Sequence, residues 1–446
     1  MPGVFESLQA EIAAIQPMRD VGRLRELSRG LLRVSGLSRA ALGDRVEVET
    51  ASGPLGGEVI RLSLRGALVL PEADPEGLAI GAAVELLGPV AIAPDRGWLG
   101  RIVDPLGRPL DGRPLLSGVA RRPMLGPPPP AAARRGLGGR LSTGIAAFDT
   151  LLPLARGQRI GLFAGSGVGK SSLLAKFARG VAADVAVIAL VGERGRELRE
   201  FTERVLGPQG MARSVVVAAT SDQSPLMRRR CVLTAMAVAE HFRDRGEHVL
   251  LLVDSVTRFA EAHREVAVAS GEAASLRGYP PSTAHAIMAL AERAGPGTDA
   301  SGDITGVFSV LVAGSDMEEP VADILRGTID GHVVLDRRIA ERGRYPAVDL
   351  LRSVSRSLPG VASETENRLI EDARRTLGAW DRAEMMIQAG LYVSGSDPGV
   401  DRAIRLWPGL DAFLAEDAPP GGPPASFARL REILEAQPMR PRAPPV

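Results

Sequence analysis

At 446 residues the chain is longer than one compact core allows, so two to four domains are expected. A net charge of +1 and only 4% aromatic residues argue against a chain-wide electrostatic claim on nucleic acid and leave few platforms for stacking bases. The single cysteine, Cys231, excludes an internal disulfide, and apolar runs such as "VLLLV" (249–253) are far too short to span a bilayer.

The first 16 residues place Phe5, Leu8, Ile12 and Ile15 at helical spacing, and Pro17 stops the pattern. A short amphipathic helix is expected within 1–20, either packed on its own domain or docked on a partner. Glu6 and Glu11 interrupt this stretch and no long apolar window follows a basic start, so no export signal is expected and the chain reads as cytosolic.

Residues 21–95 read as a small β-barrel or sandwich. "RVEVET" (45–50) and "EVIRLSLRGALVL" (58–70) alternate apolar with polar side chains between Gly/Pro/Asp clusters. Residues 96–136 read as a connection. "GRIVDPLGRPLDGRPLL" (100–116) is rich in turn residues, and the four prolines of "GPPPPA" favour extended polyproline geometry.

From 137 to 359 strand-like runs at 160–163, 185–191, 249–253 and 307–312 alternate with helical stretches, the signature of a parallel sheet covered by helices. One helix is expected from Ser224, an N-cap followed by Pro225, and Gly246 lies past its end. Beyond 360 the pattern is helical, with "APPGGPP" (418–424) breaking it before a last helix at 426–435. These patterns give a small N-terminal β domain, a central α/β domain with a parallel sheet and a C-terminal helical domain (360–446).

"FAGSGVGKSSLL" (163–174) carries the chemistry. Gly165, Ser166, Gly167, Val168, Gly169, Lys170, Ser171 and the following Ser172 fit a phosphate loop, except that Ala164 stands where the pattern opens with Gly. Glycines let backbone N–H groups converge on phosphate oxygens at the positive end of the next helix. Lys170, one of only two lysines with Lys176, would reach the β- and γ-phosphates. The Ser171 hydroxyl would hold Mg²⁺, and Asp254 at the tip of "VLLLVD" would bind the metal's water shell. Glu193 follows "VAVIALVG" at the same rim of the sheet. It suits a water-activating base, or a helix-start glutamate engaged with backbone; the residues alone leave both open.

Together "VGERGRELREF", "LLLVDSVTRFAEAHRE", "GYPPS", "RYPAVDLLRSVSR" and "GSDPGVDRAIRLWPGLDAFL" resemble the flagellar protein-export ATPases, that is, the type III secretion ATPases related to the rotary ATP synthase catalytic subunit. The likeness runs from about 30 to about 415, and secretion ATPases commonly begin this loop with Ala. It implies that the first domain is a β-barrel and the second a RecA-like α/β P-loop domain, with the C-terminal domain helical, and it implies Mg-ATP hydrolysis by a homohexameric ring. Glu193 would polarise the attacking water and Arg194 reach the γ-phosphate. Tyr345 would pack on adenine, and Arg356 would act as a finger in the neighbouring subunit's site. The implied partners are a stator-like regulatory protein at the N-terminal helix, a central stalk protein and export chaperones at the C-terminal domain, and a membrane export gate. Nucleic acid is not among them. The implied location is the cytoplasm, peripherally on the inner-membrane export apparatus.

Three other readings share parts of this pattern. An injectisome ATPase has the same chemistry with different cargo. An ATP synthase catalytic subunit is disfavoured by "AGSGVGKS" and the "WP" segment. A ring-shaped RNA translocase would want aromatics in its N-terminal fold, and 30–95 contains none.

Overall fold

The computed structural model describes residues 4–13, 18–51, 53–312 and 317–436. An N-terminal helix, Val4–Ala13, leaves Phe5, Leu8 and Ile12 exposed, so these three do not pack on the chain's own core. Ile15 and Pro17 lie outside the described residues.

Strands β1 (Val21–Ser28), β2 (Leu31–Ser35), β3 (Asp44–Thr50), β4 (Gly53–Ser63), β5 (Gly66–Pro71) and β6 (Ala83–Pro89) close into a barrel in the order β1-β2-β5-β4-β3-β6. Alternate residues point inward, and Leu24, Val34, Val46, Val59, Val69 and Val84 are fully buried there. Gly66 is required at the β4–β5 turn. It takes φ +111°, and a β-carbon would fall 2.2 Å from the Val34 carbonyl oxygen.

The turn-rich segment after the barrel does more than connect. β7 (Ala91–Ile92) pairs with β9 (Arg122–Pro123), and between them β8 (Arg101–Val103) joins the edge of the central sheet. Arg101 holds this segment folded, donating to both carboxylate oxygens of Asp111 at 2.6 and 2.8 Å. Its buried fork is bidentate, the strong geometry for such a pair.

The central sheet adds β10 (Arg159–Ala164), β11 (Val185–Glu193), β12 (Ser214–Thr220), β13 (His248–Asp254), β14 (Asp303–Leu311), β15 (Gly331–Leu335) and β16 (Val348–Ser355). Its order among the described residues is β16-β15-β10-β14-β13-β11-β12-β8, parallel except that β16 runs antiparallel to β15. The four apolar runs of the sequence are the four adjacent strands β10, β14, β13 and β11. They are buried on both faces, which is why they read as continuous Val/Leu runs. Ile188 and Leu190 pack into one apolar layer with helix Lys170–Gly180, while Val187, Ala189 and Val191 face helices Pro225–Arg243 and Val256–Ser270 on the other.

Helix Pro225–Arg243 begins as its sequence foretold, the Ser224 hydroxyl accepting from Met227 N–H. The C-terminal helices are Glu364–Gln388, opened by a Ser363/Glu366 capping box, Pro398–Phe413 and Pro423–Leu434. The last starts at Pro423, not at 426. Prolines in a first helical turn lose no hydrogen bond, so Pro423 and Pro424 open the helix where a break was expected. Barrel, central α/β domain with its parallel sheet and helical C-terminal segment thus agree with the expected fold class. No helix among the described residues is long and apolar enough to cross a membrane.

Candidate functional site

β10 ends at Ala164, and the loop 165–169 turns directly into helix Lys170–Gly180. Gly167 and Gly169 take φ +78° and +84°, the left-handed region that lets successive N–H groups face one point. Val168 is buried and anchors the loop. The helix N-terminus adds its dipole, so the loop is an anion site by construction.

Two neighbouring strands bring carboxylates to the same edge. Asp254 ends β13 and is buried; Lys170 Nζ donates to its Oδ1, and Ser309 Oγ from β14 donates to the same oxygen at 2.9 Å. Glu193 ends β11. The β11–β12 register shifts between Val191 and Glu193, where Gly192 takes φ +69°, and such a bulge re-aims the side chain that follows. Burial pushes the Glu193 carboxyl up to about 7, the hydrogen bond with Glu197 and the Asp254 charge add to the rise, and the Lys170 charge opposes it.

Lys170 and Glu193 line one open cleft of about 650 Å³ with Gly165, Ser166, Ser171, Ser172 and Arg194, while Asp254 borders the cavity next to it. That smaller cavity, of about 270 Å³, lies behind Glu193, between Glu197, Leu198, Phe201 and Val205. The chain there is a π-helical turn, Phe201–Leu206.

Arg194 stands at the cleft mouth with its side chain 79% exposed and Glu197 Oε1 3.5 Å away. Tyr345, on the turn before β16, is half-exposed and lies against Gly169. Arg356 is elsewhere. It follows β16, whose antiparallel course carries the chain from the phosphate-loop end of the sheet to the opposite end, where Arg356 is exposed and donates to Ile329 O at 3.2 Å. The structure therefore brings Lys170, Ser171, Asp254, Glu193 and Arg194 to one end of the sheet, sets Tyr345 against Gly169 of the loop, and leaves Arg356 at the other end.

Two residues of the site escaped the sequence reading. Arg258 projects from the first turn of helix Val256–Ser270, its stem beside Gly192, and pairs with Glu261 at 3.0 Å. A basic residue one turn past the strand-tip Asp254 was the available signal. Ser309, by contrast, could not have been found, because only the β13–β14 register brings it to Asp254.

Ser171 and Asp254 supply hard oxygen donors of the kind Mg²⁺ takes alongside phosphate oxygens and water. Among the described residues no group of three or more His, Cys, Asp or Glu gathers to hold a metal unaided. A cation here would share its coordination with a substrate.

With the geometry established, comparison with known proteins is direct. Residues 144–355 match the ATP synthase alpha/beta family, nucleotide-binding domain, and residues 362–430 match the T3SS EscN ATPase C-terminal domain. The chain is 43% identical over 443 residues to the flagellum-specific ATP synthase of Caulobacter vibrioides, covering 97% of this chain and 100% of that one. It is 40% identical over 418 residues to the type 3 secretion system ATPase of Xanthomonas euvesicatoria, covering 93% and 94%. Among solved structures, the assembled ATPase EscN from the enteropathogenic E. coli type III secretion system superposes with a TM-score of 0.85 at 33% identity, over 93% of this chain and 100% of that one. The same ATPase in complex with its central stalk EscO gives 0.84 at 34% identity, over 93% and 100%.

Proposed function

The chain belongs to the family of flagellum-specific and type III secretion ATPases, and on that premise we propose that it hydrolyses Mg-ATP as a homohexameric ring to energise flagellar protein export. The observation that carries the proposal is the division of charged groups across the central sheet. Lys170, Asp254 and Glu193 meet at one end, and Arg356 stands exposed at the other. A single chain so built has a phosphate site without its finger, and a finger without a site.

In the proposed reaction the loop N–H groups and Lys170 hold the triphosphate; the Ser171 hydroxyl would hold Mg²⁺ and Asp254 would bind its water shell. The metal, when bound, neutralises charge on the β- and γ-phosphates. Glu193 accepts a hydrogen bond from the attacking water and takes its proton. Arg194 and Arg258 flank the γ-phosphate position, Tyr345 packs on adenine, and Arg356 of the adjacent subunit stabilises charge on the transferring group.

The work done is release of substrates from chaperones and their delivery to a membrane export gate. The protein acts in the cytoplasm, peripherally on the inner-membrane export apparatus. Its N-terminal helix offers Phe5, Leu8 and Ile12 to a stator-like regulatory protein. Its C-terminal helices meet a central stalk protein and the chaperones; the solved EscN–EscO complex supports a stalk partner.

ATPase rate measured against protein concentration, with ring formation followed in parallel, tests the shared site. Specific activity should rise cooperatively as rings form; full activity in a strictly monomeric sample would overturn it. Likeness to the Xanthomonas relative keeps injectisome cargo as a second reading. Restored motility in a strain lacking its flagellar ATPase favours the first, and restored effector secretion alone favours the second.

A further inference from the structure

The turn that carries Tyr345 is gripped from behind by the C-terminal helices. Arg342 closes helix Arg337–Glu341, Gly343 takes φ +81°, and Arg344 then points back into the protein with its side chain only 9% exposed. Its guanidinium donates to the Val348 carbonyl at 2.8 Å and stands 2.9 Å from Asp411 Oδ1, on helix Pro398–Phe413. Arg342 makes a second ion pair, 2.7 Å to Glu384 on helix Glu364–Gln388. This second pair is half-exposed and contributes little.

The position of Asp411 is informative. It sits in the last turn of its helix, where a carboxylate opposes the helix dipole. The Arg344 charge offsets that cost. A cavity of about 180 Å³ remains at the joint, lined by Arg342, Arg344, Trp380, Glu384, Trp407 and Asp411. Trp380 and Trp407 stack across it with ring centroids 4.5 Å apart, and Trp380 Nε1 is buried without a hydrogen-bond partner. Ala347, Val348 and Leu350 share one buried apolar cluster with Leu377, Leu406 and Leu410 of the C-terminal helices, and beside the cavity the Arg344–Asp411 charge pair is what fixes Arg344 itself.

We infer that Arg344, held by Asp411, is a positioning residue that sets where the Tyr345 ring stands over Gly169 and hence how well the site binds the base of its nucleotide. The inference rests on the reading of Tyr345 as the adenine contact. It assigns to the C-terminal helix Pro398–Phe413 a direct part in nucleotide affinity, through one carboxylate.

The test is Asp411→Asn in the full chain. KM for Mg-ATP should rise on the order of tenfold, because loss of the ion pair leaves a buried guanidinium charge uncompensated, while kcat stays within about twofold. Binding of inorganic tripolyphosphate with Mg²⁺, which has no base to stack, should keep its wild-type affinity. Asp411→Glu should recover most of the loss. An unchanged KM for Mg-ATP overturns the inference, and so does a matching loss of kcat and tripolyphosphate binding, which would mean general damage. Tyr345→Ala separates the two layers. If it raises KM while Asp411→Asn does not, the positioning role alone fails. If neither raises KM, the adenine reading fails first.

Discussion

The ring of Tyr345 lies against the backbone of Gly169, so closely that a β-carbon on that glycine would stand 3.0 Å from Tyr345 Cδ1. The phosphate loop and the aromatic turn before β16, separated by 176 positions in the chain (345 − 169), thus meet directly. Phosphate recognition and base recognition therefore meet at a glycine whose φ of +84° no other residue adopts easily.

Gly169→Ala should lose nucleotide binding by more than tenfold, because it adds left-handed strand strain of about 1 kcal/mol or more to a contact with the Tyr345 ring. Tyr345→Phe should bind Mg-ATP like the parent, since a ring face and not a hydroxyl is presented, whereas Tyr345→Ala should weaken it roughly tenfold. Nucleotide titration by calorimetry checks all three. Equal loss in the Phe and Ala variants would show that the hydroxyl, not the ring, does the binding.

Glu193→Gln should keep Mg-ATP affinity and lower kcat by roughly 10²–10⁴-fold, the usual worth of a positioned base. Retained hydrolysis would remove Glu193 from that role.

The pH profile reports the same carboxyl. Burial, then the Glu197 hydrogen bond, raise Glu193 from the usual carboxylate range to about 7. A base must be deprotonated to act, so kcat/KM should fall as pH drops through about 7. Glu197→Gln removes a negative neighbour and should move this acid limb to lower pH. A limb that stays in place would show that burial alone sets it.

Arg356→Ala should lose on the order of 10³-fold in rate, as removal of a finger does. Mixed with Lys170→Ala protein it should recover part of the activity, because a ring of both contains junctions where an intact phosphate loop faces an intact finger. Inactivity at every mixing ratio would count against a site shared between subunits.

Acid should destabilise the fold through buried histidines. His241, His248 and His263 are each lowered to about 4, burial being the largest cause in all three, and the like charges of Arg245, Arg156 and Arg229 respectively add to the fall. The unfolded chain takes up these protons near pH 6.5, the folded chain only near 4. Stability contributed above 6.5 is therefore lost as pH falls through that window. His248, whose ring stands 2.8 Å from Thr305 Oγ1, is 3% exposed. His248→Gln should flatten the decline between pH 6.5 and 4 by on the order of 2 kcal/mol, read by denaturant melts. An unchanged slope would place the acid sensitivity elsewhere.

Much of the fold was legible in local sequence. The central strands announced themselves as Val/Leu runs because both their faces are buried, and Ser224-Pro225 announced a helix start because cap and first-turn preferences are local. β8 and β12 were not singled out. Three residues, Arg101–Val103, become a strand only because Val215–Val217 lie beside them, and "SVVVAAT" is diluted by alanine. Pro423 was misjudged because the same residue that ends a helix also opens one.

For the site the division is sharper. Which groups the chain could bring to a triphosphate was written locally: glycines that permit positive φ, a lysine at the loop's end, and carboxylates where strands stop. Their chemistry depends on residue type and near neighbours, so it survives reading in one dimension. Where those groups stand relative to one another was decided by register. β13 beside β14 sets Ser309 on Asp254, the antiparallel β16 sends Tyr345 and Arg356 to opposite ends of one sheet, and helix packing sets Asp411 behind Arg344. Contacts between residues far apart in the chain follow from which strands pair, and pairing is settled only when the whole core closes.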